Sequence, residues 1–123
     1  MIPELLALGR NIARRFEEPG RRVAVVVSSD LAHTHLASGP YGYSPTAEPF
    51  DAACGRWAGT LNATALLVDA ASLADRALSC GFTGMVMLHG LLSALPVRFV
   101  PDLLANAHPT YYGMLVSTFE PPR

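Results

Sequence analysis

Leu5, Leu8, Ile12 and Phe16 recur at intervals of three and four residues, with Arg10, Arg14, Arg15 and Glu17 between them. That spacing predicts an amphipathic helix of about three turns, ended by Glu18-Pro19-Gly20. Val23-Ala24-Val25-Val26-Val27 follows, a β-branched run without polar alternation. Such a run predicts a strand buried on both faces of a largely parallel sheet. Helix, tight turn and buried strand together read as half of an α/β unit. The strand opens into Ser28-Ser29-Asp30-Leu31-Ala32-His33-Thr34-His35, and loops at the carboxyl ends of strands are where open α/β sheets take ligands.

Gly and Pro in Ser38-Gly39-Pro40-Tyr41-Gly42-Tyr43-Ser44-Pro45 exclude regular structure there, and the two tyrosines give the excursion something to pack. Phe50, Cys54, Trp57 and Leu61 then mark a helix over 46–62. A short helix over 72–78 and a longer one from Gly81 to Pro96 follow, the latter carrying Met85, Met87, Leu88, Leu91 and Leu92. Two strands are expected at 97–100 and 112–119, with 106–110 in the connection between them. No repeat or linker interrupts the pattern, so residues 1–123 read as one α/β domain with extra helix in its middle.

Composition narrows the function classes. A chain of 123 residues with 50% hydrophobic and 15% charged positions forms one ordered domain. A net charge of -1 gives no basic surface for nucleic acid or anionic membrane. All nine basic residues are arginine, which removes lysine chemistry. Two cysteines are too few for a disulfide scaffold. The N-terminal segment mixes acids with arginines, unlike a signal peptide, and no stretch reaches the about eighteen apolar residues of a spanning helix. A soluble cytoplasmic protein is the default expectation.

The densest polar cluster is Asp30, His33 and His35. Residues two apart in an extended segment project to one side, so His33 and His35 are candidates to share a metal or substrate. Either histidine alone suits a general base; the competing reading is Asp30 as a turn cap beside two exposed imidazoles. Cys80-Gly81 stands where a helix is expected to begin, and free N–H groups there favour a thiolate nucleophile or metal ligand. A small buried hydrophobe is the alternative for Cys80, and more so for Cys54 on its amphipathic stripe. His89, among Met87, Leu88 and Leu91, reads as a hydrogen-bonded core residue. His108, Tyr41, Tyr43, Tyr111 and Tyr112 are candidates to line a substrate cleft or to act as packing anchors.

Ser28-Ser29-Asp30-Leu31-Ala32-His33 resembles the S-x-D-L-x-H signature of the catalytic B-subunit family of class III extradiol ring-cleavage dioxygenases, which includes Memo-like proteins. The similarity continues through Gly39-Pro40-Tyr41-Gly42-Tyr43-Ser44-Pro45 and Glu48-Pro49-Phe50-Asp51. It resumes at Cys80-Gly81 and at Leu88-His89-Gly90-Leu91-Leu92, and Leu8-Gly9-Arg10 resembles the helix before the family's signature strand. The resemblance implies the C-terminal half of a LigB-like three-layer α/β domain with a central parallel or mixed sheet. It also implies opening of a catecholic ring with O₂ at non-haem Fe(II), with Zn(II) as an alternative metal, and the isolated chain is expected to hold either one weakly or not at all.

Under that resemblance His33, supported by Asp30, is the proton-handling residue, and Cys80 is the remaining metal ligand. His35, Tyr41, Tyr43 and His108 fall to the substrate pocket. The family's metal-binding histidines lie in an N-terminal half with no counterpart upstream of Val23. Cys80 also stands where the dioxygenases carry a glutamate and the Memo-like branch a cysteine. The expected partners are therefore a second copy of the chain or a complementary N-terminal-half polypeptide. A non-catalytic Memo-like interaction module is the second reading, and a metal hydrolase using His33 and His35 is the third.

Overall fold

Pro3 and Glu4 in the first turn of helix α1 (Ile2–Ala13) suit a helix start, where proline lacks the N–H that would go unpaired and an acid faces the positive dipole end. In the computed structural model, which describes residues 1–123, this helix tightens into a 3₁₀ turn, Arg14–Glu17, before Pro19 ends it. Its packed face includes Leu5, Leu6, Gly9, Ile12 and Ala13, whereas Leu8 of the expected stripe is 47% exposed. The shift has a steric cause: α1 crosses helix α4 (Phe82–Ala94) with backbone against backbone at two glycines. A Cβ on Gly9 would collide with the Met87 carbonyl, and one on Gly90 would stand 2.5 Å from the Leu6 carbonyl oxygen.

Helix α2 (Ala47–Thr60) lies close to its predicted place and supplies the centre of the core through Phe50, Ala53, Cys54, Trp57 and Ala58. The helix expected over 72–78 is longer. It begins beyond Asn62, passes through a π-helical stretch, Ala65–Ala70, and continues as α3 (Ala71–Ala77). Leu66, Ala70, Ala77, Phe82, Met85 and Val86 close the core against α2, together with Leu31 and Ala32.

The sheet departs most from expectation. Strands β1 (Val100–Ala107) and β2 (Met114–Glu120) pair with each other, antiparallel, as a two-stranded hairpin bulged between Leu103 and Ala105. Asn106 and Ala107, expected in the connection, belong to β1, and residues 97–99 precede the strand. Val23–Val27 is not a strand. It carries no regular secondary structure, and Val23, Val25 and Val26 are exposed. A β-branched run becomes a strand only when a neighbour pairs with its backbone, and no backbone hydrogen bond of the chain involves Val23–Val27. No parallel sheet forms, and the chain is a mixed α/β assembly of helices around one side of a hairpin. Gly55 and Gly59 leave the α2 surface low enough for Leu103 and Asn106 of β1 to rest on it. No helix is long and apolar enough to cross a membrane.

Candidate functional site

The segment 30–35 is shaped by its neighbours in the fold. Leu31 N–H donates to the Gly113 carbonyl at 2.9 Å, Gly113 N–H to that of Ala32 at 2.8 Å, and His35 N–H to that of Tyr111 at 3.2 Å. On its other side, His33 N–H and the Thr34 hydroxyl both donate to the Ala77 carbonyl, the last of α3. The segment is thus fixed between the end of α3 and the turn before β2. The candidate side chains Asp30, His33 and His35 hang from this frame.

Asp30, His33 and Cys80 converge. One carboxylate oxygen of Asp30, one ring nitrogen of His33 and Cys80 Sγ lie within 4.8 Å of one another. Leu78, in the left-handed conformation at φ 55°, turns the chain out of α3 so that Ser79 and Cys80 face Asp30. Asp30 N–H donates to Cys80 Sγ at 3.2 Å, and the Ser79 hydroxyl donates to the Asp30 carbonyl at 3.3 Å. Gly81 permits the approach, because a Cβ there would sit 2.6 Å from the Asp30 carbonyl oxygen and 2.7 Å from Ser29 Oγ.

His33 Nε2 stands 3.3 Å from Asp30 Oδ2. Its ring stacks on Tyr41, with centroids 5.4 Å apart and planes 22° apart, and Tyr111 flanks it at 6.1 Å. Gly39 brings the tyrosine loop in, since a Cβ there would meet Tyr111 Cβ at 2.7 Å. The result is a partly exposed carboxylate–imidazole–thiol cluster under two phenol rings. Tetrahedral ligand bonds of about 2.0–2.3 Å hold two donors about 3.5 Å apart, so Asp30 and Cys80 need close in by no more than about 1 Å to share a divalent cation beside His33. A carboxylate, an imidazole and a thiol form a softer set than two histidines and a carboxylate, and they leave coordination positions open.

His35 goes elsewhere. Its Nε2 meets Asp51 Oδ2 at 2.7 Å in a buried pair, so His33 and His35 face different carboxylates and do not share a metal position. Asp51 Oδ1 accepts the Ala32 N–H at 3.0 Å, and its backbone carbonyl accepts Asn106 Nδ2–H at 2.9 Å. Burial raises the Asp51 carboxyl above its ordinary range, while the Ala32 N–H and His35 pull in the opposite direction. His108 stacks on His35, with centroids 3.9 Å apart and planes 7° apart, and meets Glu48 Oε1 at 3.3 Å. His35 and His108 thus line a separate cleft of about 440 Å³. Tyr43 is 64% exposed and stacks on no other ring.

Cys54 is buried in the core, and burial pushes its thiol up to about 12. His89 accepts the Trp57 indole N–H at 3.0 Å, the hydrogen-bonded role its apolar surroundings predict. Asp51 and Glu48 enter the sequence pattern only within Glu48-Pro49-Phe50-Asp51 of the resemblance, which gives neither a role. Asp51 was nonetheless detectable as the one acid on the stripe formed by Ala47, Phe50, Cys54, Trp57 and Ala58, where a carboxylate must find partners. Glu48 is exposed, and nothing in its spacing marks it.

The chain matches no protein-family model. A stretch of 48 residues is 40% identical to Protein CA_C1420 of Clostridium acetobutylicum, covering 39% of this chain and 10% of that protein. The match thus spans about a tenth of that relative's length.

Proposed function

We infer that the chain is one half of a metal-dependent α/β domain of the class III extradiol dioxygenase type. It works in the cytoplasm on a catecholic ring with O₂, with Fe(II) as the metal and Zn(II) as the alternative. The observation that carries this reading is the convergence of Asp30, His33 and Cys80, two motifs fifty residues apart, beneath Tyr41 and Tyr111. Cys80 holds the metal with Asp30 beside it. Fe(II) held there would supply Lewis-acid and O₂-activating chemistry toward a catecholic oxygen.

His33 moves the proton at Nε2. The Asp30 carboxylate 3.3 Å away orients the ring. Tyr41, stacked on the imidazole, fixes its tilt, and the two phenols offer planar walls to an aromatic substrate. The Asp30–His33–Cys80 cluster holds no second imidazole, and in this reading a second polypeptide supplies the remaining imidazole ligands and completes the LigB-like layered sheet. That polypeptide is a complementary N-terminal half or a second copy of the chain. The Memo-like interaction module is the second reading, favoured by the thiol of Cys80 in place of a carboxylate.

Co(II) tests the ligand assignment, because thiolate coordination gives it an intense charge-transfer absorption. Anaerobic titration is expected to produce that absorption in the wild type and to lose it in Cys80→Ser. In His33→Ala the absorption is expected to remain, while catechol-dependent O₂ uptake by the complex with a histidine-bearing half falls about 10²–10⁴-fold at matched iron. No thiolate band with wild-type protein removes Cys80 from the metal. A stable complex with no O₂ uptake moves the assignment to the interaction module.

A further inference from the structure

A second cleft, of about 360 Å³, opens on another part of the molecule, where the end of α2, the last turns of α4 and residues 97–101 meet. Leu61, Leu92, Val97 and Phe99 make its apolar walls, and His89 and Arg98 supply its polar groups. The protonation pattern of His89 follows from its neighbour. Trp57 Nε1–H donates to His89 Nδ1 at 3.0 Å, and an indole nitrogen can only donate. Nδ1 is therefore the acceptor, and the neutral ring carries its proton on Nε2. Burial lowers the His89 pKa and keeps the ring in that neutral form.

No group of the chain accepts the Nε2–H. Arg98 is exposed and joins none of the chain's ion pairs. The hydroxyls of Ser93 and Thr60 at the cleft edge are already spent on the carbonyls of His89 and Arg56. The cleft therefore presents one fixed cation and one neutral N–H donor. It has no carboxylate among its lining residues.

We propose that this cleft binds a small monocarboxylate with an apolar body, its carboxylate held between the Arg98 guanidinium and the Nε2–H of His89. The hydrocarbon lies on Leu61, Leu92 and Phe99. One cation matches one negative charge, and a carboxylate offers two oxygens for two donors. A cationic ligand would meet Arg98 with nothing to offset it. The site is independent of the Asp30–His33–Cys80 cluster and of any metal held there.

Trp57 is the chain's single tryptophan and is bonded to His89, so its emission and its indole N–H resonance report on occupancy. Titration with cyclohexanecarboxylate is expected to give a saturable change in both signals in the millimolar range. Cyclohexylmethanol has the same body without the charge, and acetate has the charge without the body. Each is expected to bind at least about tenfold more weakly. Arg98→Gln is expected to weaken cyclohexanecarboxylate binding about tenfold while leaving the far-ultraviolet circular dichroism unchanged, because the side chain is exposed and unpaired. Absence of a saturable response, an equal response to the alcohol, or undiminished binding by the Arg98→Gln protein would each overturn the proposal.

Discussion

Asp51 has three jobs that its carboxylate and backbone perform together: it receives the Ala32 N–H, holds the His35 ring and, through its carbonyl, anchors Asn106 of β1. Gly113 leaves the room for this, since a Cβ there would collide with Asp51 Oδ2. Burial raises the carboxyl pKa from 3.8, so the folded chain keeps this proton at a pH where the unfolded chain has released it. The stability gained from that proton is full below 3.8 and is lost as the pH rises through the higher folded value. Asp51→Asn cannot ionise. Its stability relative to wild type is therefore expected to improve as the pH rises above 3.8 and through the raised folded value, measured by urea denaturation over a pH series. A gap that stays constant, or moves the other way, would show that the neighbouring N–H groups outweigh desolvation. At this scale the sequence was legible where a residue type constrains its surroundings, as with the His33–Asp30 spacing. It was not legible for the partner of His35, because Asp51 comes from α2 and only the packing of that helix brings the two together.

Between elements, the crossing of α1 and α4 depends on hydrogen atoms at two positions. Gly9 and Gly90 let the helix backbones touch, and Leu5, Leu6, Ile12, Leu88 and Leu91 pack around that contact. Gly90→Ala would place a methyl group against the Leu6 backbone, which cannot swing aside as a side chain would. Overpacking of this kind costs about 1–3 kcal/mol, and the loss is expected as a lower urea midpoint with an unchanged m-value. Leu8→Ala, on the exposed side of the same helix, is the control expected to change the midpoint little. A Gly90→Ala midpoint equal to wild type would mean that the helices separate at no cost. The helices themselves were readable from spacing, since Phe50, Cys54 and Trp57 fix one face of α2 whatever surrounds it. The identity of the α1 face was not, because two glycines carry no hydrophobic signal. The hairpin boundaries slipped by a few residues for a related reason: Asn106 is polar in sequence but pairs with Leu115 in the hairpin, its side-chain amide satisfied by the Asp51 carbonyl.

Across the whole molecule, the least satisfied region is the valine run. No backbone hydrogen bond within the chain involves Arg22–Ser29. Val27 touches α4, where a Cβ on Gly84 would stand 2.8 Å from its Cγ1, but Val23 is 51% and Val26 is 85% exposed. The sequence pattern identified a segment suited to a buried strand, and its period held no information on whether this chain supplies the neighbours. Unpaired N–H and carbonyl groups beside exposed β-branched side chains form an edge that readily accepts another strand. The purified chain is therefore expected to associate, with itself or with a complementary polypeptide, and to sediment above monomer mass at micromolar concentration. Val26→Glu puts a charge into that contact at a side chain that the chain itself leaves bare. It is expected to shift the population toward monomer without lowering the urea midpoint of the monomeric fold. The hairpin offers a competing surface, with Met114 and Val116 exposed on β2, so Val116→Glu is the companion variant. If Val116→Glu dissociates the assembly and Val26→Glu does not, the hairpin is the contact. A wild-type chain that stays a folded monomer at micromolar concentration would show that the valine run needs no partner strand.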